Sequence, residues 1–147
     1  MPTYRRLIIA WLFVPLHRLV FRLSGGRLLG RLEGHGILIL VTRGRRSGKQ
    51  RSSPLMYFRF DGSDDLIVVA SNYGQDHHPA WYLNAAADPA VSVETAGARF
   101  SAEAHIARGP EREALFARVA DANARFAGYR AATDREIPVV ALRRVAP

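Results

Sequence analysis

Short apolar runs separated by turn signals fill most of the chain, and this division constrains the fold more than any other feature. The run ILILVTR at 37–43 is long enough for a buried strand. The turn signal DGSD and the pair Ala96-Gly97 each separate two further runs, as in hairpins. We predict strands at 37–43, 54–60, 65–71, 90–95, 98–107 and 137–145. About six strands joined mostly by hairpins favour a small antiparallel barrel over a doubly wound sheet.

Three segments have helical patterns instead. The pattern of residues 4–23 predicts a helix with a kink at Pro15. The pattern of residues 79–88 predicts a short helix. Residues 110–129 predict one longer C-terminal helix, with proline and glutamates at its start. In the strand before it, Phe100, Ala102, Ala104 and Ile106 are expected to share one face. The expected class is therefore α+β, mainly β.

The first 36 residues form a distinct segment. An amphipathic helix is followed by a glycine-rich connector at 24–36, and the β domain is expected to occupy 37–147. The apolar run from Leu7 to Leu16 is too short to span a bilayer. Arginines resume directly after it, which argues against a cleaved signal peptide. Residues 1–23 could pack on their own protein or rest on an anionic membrane surface, and the sequence leaves both alternatives open.

Positive charge is concentrated in the first part of the chain. Of the net charge of +8, residues 1–60 contribute +11, from 12 basic residues against Glu33 alone. Residues 61–147 carry 9 basic and 12 acidic residues, a net of −3. An anionic partner is therefore expected for the N-terminal half. The absence of cysteine excludes disulfides and thiolate metal sites, and it fits a reducing cytoplasm.

The densest charge lies in residues 43–51, which we call the basic loop. Its five cations are Arg43, Arg45, Arg46, Lys49 and Arg51. Three residues rather than four separate its glycines, and Gln50 follows Lys49, so it is not a nucleotide-binding P-loop. It contains no aromatic residue, which argues against nucleic acid. Glycines that let N–H groups converge, together with arginine forks, suit a phosphate or carboxylate ligand.

Residues 68–84 form the other dense stretch. His77 and His78 are adjacent, so their side chains usually diverge, and we predict no metal site. Ser71 lies in no G-x-S-x-G elbow, which argues against a serine nucleophile. Trp81 and Tyr82 could both be core residues, and a core position is the default expectation for one of them.

Four stretches together are similar to one known family. TRGRRSGKQRSSPL (42–55), VVASNYG (68–74), HPAWYLNAAADP (78–89) and TDREIPVVAL (133–142) keep its order and spacing over about two thirds of the chain. On these motifs the chain resembles the deazaflavin-dependent nitroreductases, the coenzyme F420-dependent quinone and nitro-compound reductases of actinobacteria. The resemblance implies a split β-barrel, usually dimeric. It also implies coenzyme F420, a flavin-like hydride carrier whose tail holds a phosphate and several glutamates.

The resemblance also implies a set of site residues. The phosphate of the cofactor would be bound by Arg45, Arg46 and Ser47, with Lys49 and Arg51 beside them. The ring would be lined by Ser52, Ser53, Pro54, Leu55 and Met56, and its edge would meet Ala70, Ser71 and Asn72. The pocket would be closed by Ala80, Trp81, Tyr82 and Asn84. Substrate would meet Tyr73, Phe126 and Tyr129. Phe126 stands where relatives carry an aromatic hydroxyl, which leaves Tyr129 or water as the source of the substrate proton.

The expected function is hydride transfer from reduced F420 to a quinone or a similar flat electrophile, such as a nitroaromatic compound or an enone. Two alternatives remain open at this point. One is a non-catalytic split barrel that binds a cofactor or lipid, and the other is an FMN-dependent oxidase, whose single phosphate needs fewer cations. The expected location is the cytoplasm, with peripheral attachment to the inner face of the cell membrane as a further option.

Overall fold

The structure, a computed structural model, describes residues 31–32 and 34–146. Its strands are β1 (Arg31–Leu32), β2 (His35–Arg43), β3 (Gln50–Tyr57), β4 (Leu66–Val69), β5 (Ala90–Thr95), β6 (Ala98–Ile106) and β7 (Val139–Arg144). Its helices are α1 (Ala80–Ala87), α2 (Gly109–Ala122) and α3 (Arg125–Ala131), with a 3₁₀ turn at Asn72–Gly74. The fold is mainly β, as the turn spacing predicts.

The strands form one curled antiparallel sheet. β3 pairs with β2, and from β2 the order runs through β5, β6 and β7 to β4. The two ends of this path meet where Phe58, just after β3, bridges Ile67 of β4. Reciprocal N–H···O bonds of 2.9 and 2.8 Å form that bridge. The sheet thus closes through a single narrow contact.

Among the described residues, alternation along the strands builds two large cores and a small third cluster of Ile39 and Val41. Leu38, Leu40, Val68 and Val93 point into the barrel and belong to an inner cluster. Neighbouring residues of β4 and β7 point outward and pack with Phe116 and Val119 of α2 in a second cluster. Phe116 and Val119 are three positions apart and therefore lie on one helix face. In β6, Ala102 and Ala104 are buried and Phe100 and Ile106 partly so, all four packed on the inner cluster, which confirms the expected shared face.

The single C-terminal helix predicted at 110–129 is wrong, because the chain leaves the helical conformation at Asn123. That residue has φ −149° and ψ 104°, and it separates α2 from α3. Its Oδ1 accepts a hydrogen bond from the N–H of Arg125 at 3.1 Å. A local asparagine bond of this kind competes with helix continuation.

The second strand also lies elsewhere than the predicted 54–60. β3 begins at Gln50, since Arg43 pairs with Gln50 and Thr42 with Arg51 across a tight turn. The connector predicted at 24–36 ends in strand, because β1 pairs with the first residues of β2. The rest of that connector and the helix predicted at 4–23 lie outside the described residues. Among the described helices, none combines the length and apolar character needed to cross a bilayer.

Candidate functional site

The basic loop is the turn that joins β2 to β3. Gly44 N–H donates to the Lys49 carbonyl and Gly48 N–H to the Gly44 carbonyl, each at 2.8 Å. Gly48 has φ +71°, a conformation that glycine adopts without strain. Within the described chain, the N–H groups of Arg46 and Ser47 meet no acceptor. The closed turn therefore presents two free backbone donors beside the cationic side chains.

The five cations of the basic loop are all exposed. No carboxylate of the described residues forms an ion pair with any of them. Like charges packed this closely repel one another, and an anionic ligand would relieve that repulsion. The electrostatics thus agree with the predicted anion site.

Asn84 connects the basic loop to helix α1. It is 3% exposed, and its Oδ1 accepts from the backbone N–H of Arg45 at 3.2 Å and from Arg45 Nη1 at 3.1 Å. Its Nδ2 donates to Thr42 Oγ1 at 3.3 Å. Asn84 therefore holds the loop in position, a role the sequence does not indicate.

Helix α1 places its aromatic residues differently. Trp81 is 6% exposed and lies in the inner cluster, so it is a core residue. Tyr82 is half-buried, with its ring 4.9 Å from that of His78. Ala80, at the start of the helix, is exposed.

The predicted ring-lining residues 52–56 divide between two faces of β3. Ser53 pairs with Leu40 and Leu55 with Leu38, so both face the barrel interior. The intervening Ser52, Pro54 and Met56 face the other side, where Met56 packs on the second cluster. The side chains of residues 52–56 thus alternate between the barrel interior and the opposite face of the sheet.

The turn after β4 carries the predicted ring-edge residues. Ala70 and Ser71 are buried, and the following Asn72 and Tyr73 have φ values of +46° and +57°. Positive φ in two successive non-glycine residues is uncommon and is associated with functional sites. In the described chain no acceptor meets the N–H of Ser71 or of Asn72. A buried donor without a partner is unfavourable unless a ligand supplies the acceptor.

The predicted substrate residues lie around this turn. Tyr73 is 78% exposed, and its ring stands edge-on to that of Tyr129 at 6.2 Å. Phe126 is buried between Phe58 and Tyr129, with both ring centroids 5.5 Å away. Phe126 is therefore a core residue that supports Tyr129.

Sequence reasoning missed two residues, Arg135 and His78. Arg135 donates from Nη1 to His78 Nδ1 at 2.9 Å and from Nη2 to the Ser71 carbonyl at 2.7 Å. Burial, and then the charge of Arg135, lower the pKa of His78. Burial also lowers the pKa of Arg135, and the charge of Asp76 opposes that shift. The position of Arg135 within the TDREIP motif was the available signal.

These contacts join most of the predicted segments into one region. Asn84 links the basic loop to α1, His78 links α1 to Arg135, and Arg135 holds the turn that carries Tyr73. Tyr73 in turn contacts Tyr129. No cluster of three or more histidine or acidic side chains that could hold a metal ion occurs in 31–32 and 34–146.

Comparisons with known proteins point to one family. The model of the F420H(2)-dependent quinone reductase family matches residues 15–144. An F420H(2)-dependent quinone reductase of Mycobacterium tuberculosis (strain ATCC 25618 / H37Rv) is 35% identical over 133 residues, or 88% of each chain.

Two solved structures are similar over most of the chain. One is titled as an F420-H2 dependent reductase, FDR-A, with 36% identity, TM-score 0.65 and coverage of 73% of this chain and 93% of its own. Another, titled a domain-swapped dimer, has 31% identity and a TM-score of 0.66, and the match covers 91% of this chain and 98% of its own. The predicted split-barrel fold is confirmed by these matches. The chain belongs to the F420H(2)-dependent quinone reductase family of oxidoreductases, whose cofactor is reduced coenzyme F420.

Proposed function

We propose that the protein transfers a hydride from reduced F420 to a quinone, with nitroaromatic compounds and enones as further electrophiles. The observation that carries the proposal is the basic loop, whose cations and free N–H groups have no neutralising partner in the described chain. F420 ends in a phosphodiester and a string of carboxylates, which suits several guanidinium groups on one loop. FMN has a single phosphate and would leave most of this charge unneutralised.

The proposed tail site divides the loop between direct contact and positioning. Arg46, Ser47, Lys49 and Arg51 are free to contact the phosphate and carboxylates. Arg45 already donates to Asn84, so that only part of its guanidinium is available. Asn84 then acts on the cofactor through the position of the loop.

The proposed ring site lies at the turn after β4. Bound reduced F420 supplies the hydride, while the chain provides binding, orientation and electrostatics. The unpartnered N–H groups of Ser71 and Asn72 would donate to acceptor atoms at the edge of the ring and so fix its orientation. Ser52 to Met56 would line the ring mainly with backbone, since their side chains alternate between two faces.

The proposed substrate site lies between Tyr73 and Tyr129, whose edge-on rings leave aromatic surface for a flat electrophile. Tyr73 is the more exposed of the two and would cover the substrate from the solvent side. The phenol of Tyr129 or a solvent molecule would supply the proton that accompanies the hydride.

Two measurements test the function. Titration with oxidised F420, followed by its fluorescence, should give much tighter binding than titration with FMN. The protein should then oxidise reduced F420 when menadione is added. Tight F420 binding without oxidation would favour the non-catalytic alternative, and equal or tighter FMN binding would rule out the assignment of the basic loop.

We further propose a peripheral membrane contact through residues 1–23, which are outside the described residues. The sequence supports it, because Arg5, Arg6, Arg18 and Arg22 flank an apolar run. A quinone that resides in the membrane would then be close to the site, on the cytoplasmic face. Deletion of 1–23 should reduce binding to anionic liposomes and leave F420 affinity nearly unchanged, and undiminished liposome binding would contradict the proposal.

We also propose that the protein forms a homodimer. Support comes from the relative whose structure is titled a domain-swapped dimer and from the extent of that match. Light scattering coupled to gel filtration would give twice the mass of the 16.3 kDa chain, and a monomer mass would refute the proposal.

A further inference from the structure

The segment between α3 and β7 has no role in the function proposed so far, although it carries a side chain with several partners. The side chain of Arg135 forms hydrogen bonds with residues that lie 57 to 65 positions earlier in the sequence. Nε donates to the Gln75 carbonyl at 2.8 Å, and Nη1 donates to His78 Nδ1 at 2.9 Å. Nη2 donates to the carbonyls of Ser71 at 2.7 Å and Ala70 at 3.2 Å. One guanidinium therefore holds both ends of the 70–78 segment.

These bonds fix the direction of two backbone N–H groups. In a trans peptide, the carbonyl and the N–H of the next residue point in opposite directions. Because the Ala70 and Ser71 carbonyls point toward Arg135, the N–H groups of Ser71 and Asn72 point away from it. Neither of these donors has an acceptor in the described chain. The chain has no cis peptide in its described part that would alter this geometry.

The contact with His78 also defines a tautomer. A guanidinium can only donate, so Nδ1 of His78 must accept and carry no proton. The proton of the neutral imidazole is then on Nε2. A protonated ring would place an Nδ1–H against the Arg135 donors. In agreement with this, the pKa of His78 is lowered by burial and by the charge of Arg135.

We infer that Arg135 is a positioning residue for hydride transfer, which aims the N–H groups of Ser71 and Asn72 at the reacting ring and holds His78 as the Nε2–H tautomer. The inference rests on the proposed function, because it assumes that the ring lies at this turn. In this arrangement Arg135 acts through the groups it holds rather than by its own contact with cofactor or substrate. Its loss should therefore affect turnover more than cofactor affinity, since the basic loop that binds the tail is left intact.

The test compares Arg135→Gln with Arg143→Gln. Arg143 is exposed on β7, and within the described chain its side chain donates to Asp65 alone, at 3.2 Å, so its replacement controls for the loss of one arginine. Arg135→Gln should lower turnover with menadione by about tenfold to a hundredfold, the size typical of small misplacements near a reacting centre. The F420 dissociation constant should change by less than about threefold. Arg143→Gln should change neither.

A cofactor-free readout separates this inference from the proposed function. Nitrogen-15 NMR of the imidazole should show Nε2–H in the wild type. In Arg135→Gln it should show a mixture of tautomers with a higher pKa for His78. Should the glutamine variant not fold, Arg135→Lys keeps one cationic donor and should show a smaller loss of turnover. In Arg135→Ala, added free guanidinium should partly restore turnover.

The possible results are distinct. A folded Arg135→Gln variant with wild-type turnover overturns the inference, and so does an Nδ1–H tautomer in the wild type. A wild type that binds no F420 overturns the proposed function instead, and the NMR result then decides separately whether Arg135 sets the state of His78.

Discussion

At the scale of single residues, the site depends on polar side chains that hold the backbone in place. Asn84 fixes the basic loop through Arg45, and Arg135 fixes the turn after β4. Both act on main-chain groups rather than presenting their own side chain to a ligand. An anion cradle and a pair of aimed N–H groups need such support, because free turns sample many conformations.

Replacement of Asn84 by alanine tests this view. It removes the acceptor for two donors of Arg45 and leaves the buried Thr42 hydroxyl without its partner. We expect the free energy of unfolding to fall by about 1–3 kcal/mol and the F420 dissociation constant to rise. Urea unfolding and an F420 titration measure both effects. The exposed Gln50→Ala, at the same end of β3, should leave stability unchanged.

The charge state of His78 gives a dependence of stability on pH. Its pKa is lowered in the folded protein from 6.5, so the unfolded chain binds the proton more readily. The neutral ring's contribution is complete above about pH 6.5 and is lost as the pH falls toward the folded-state pKa. The charged groups that act here are Arg135, in contact with the ring, and Asp76, which interacts with Arg135. As the pH falls from about 6.5 toward the folded-state pKa of His78, urea titrations should show a smaller loss of unfolding free energy for His78→Gln than for the wild type. Parallel plots of unfolding free energy against pH for the two proteins would contradict the assignment of this effect to His78.

At the scale of elements, the 3₁₀ turn and helix α3 position one another. A Cβ on Gly74 would lie 3.0 Å from Ala132 Cβ and 3.1 Å from the Tyr129 carbonyl oxygen. The helix on which Tyr129 stands therefore packs against a position without a side chain. The break at Asn123 allows this packing, since it gives α3 a direction of its own.

Gly74→Ala and Gly97→Ala form a matched pair. The two glycines have φ of +75° and +76°, but a Cβ on Gly97 would meet nothing within 4 Å. Both variants incur the cost of a left-handed alanine, about 1–2 kcal/mol. Gly74→Ala should lose a further 1–3 kcal/mol or so from overpacking and should raise the apparent KM for menadione as Tyr129 moves. Equal unfolding free energies for the pair would show that the turn and α3 are not tightly packed.

At the scale of the whole molecule, positive charge is concentrated in the half that contains the proposed tail site. Residues 1–60 carry a net +11 and residues 61–147 a net −3. Such an asymmetry attracts and orients a polyanion before contact, and added salt weakens the attraction.

A double variant, Arg45→Ala with Arg46→Ala, tests the electrostatic part. It removes two charge-assisted contacts in a wet loop, so we expect a loss of about 3 kcal/mol, roughly a hundredfold in F420 affinity. The tail is unchanged by the reaction, so the apparent KM for reduced F420 should rise while turnover holds. High salt should weaken binding by the wild type and have less effect on the variant. Lost turnover with unchanged affinity would mean that the loop does not bind the tail.

The pattern of the sequence predicts much of the fold, because strand alternation and turn residues are local signals. β5 lies at the predicted 90–95, and α1 differs from the predicted 79–88 by one residue at each end. The break at Asn123 escapes prediction, since the alanine-rich residues around it favour a continuous helix, whereas the hydrogen bond of the asparagine Oδ1 opposes one. The start of β3 escapes it as well, because charged residues extend the hairpin.

The candidate site is predictable where a motif has its own chemistry, as in the basic loop. Arg135 is not predictable in this way, because its partners lie 57 or more positions away and a contact from side chain to backbone has no periodicity. Trp81 and Phe126 show the reverse problem. Their residue types fit either a pocket or a core, and only their burial, at 6% and 7% exposed, decides for the core.

The position of β7 has a consequence for biosynthesis. As the last of the described strands, it is inserted between β6 and β4, both of which are made earlier. While the ribosome still holds residues 139–144, each of those strands has an unpaired edge, and such edges associate readily with other chains. A nascent chain stalled before Val139, or a product of premature termination there, should therefore aggregate or recruit chaperones, although most of the strands have been synthesised.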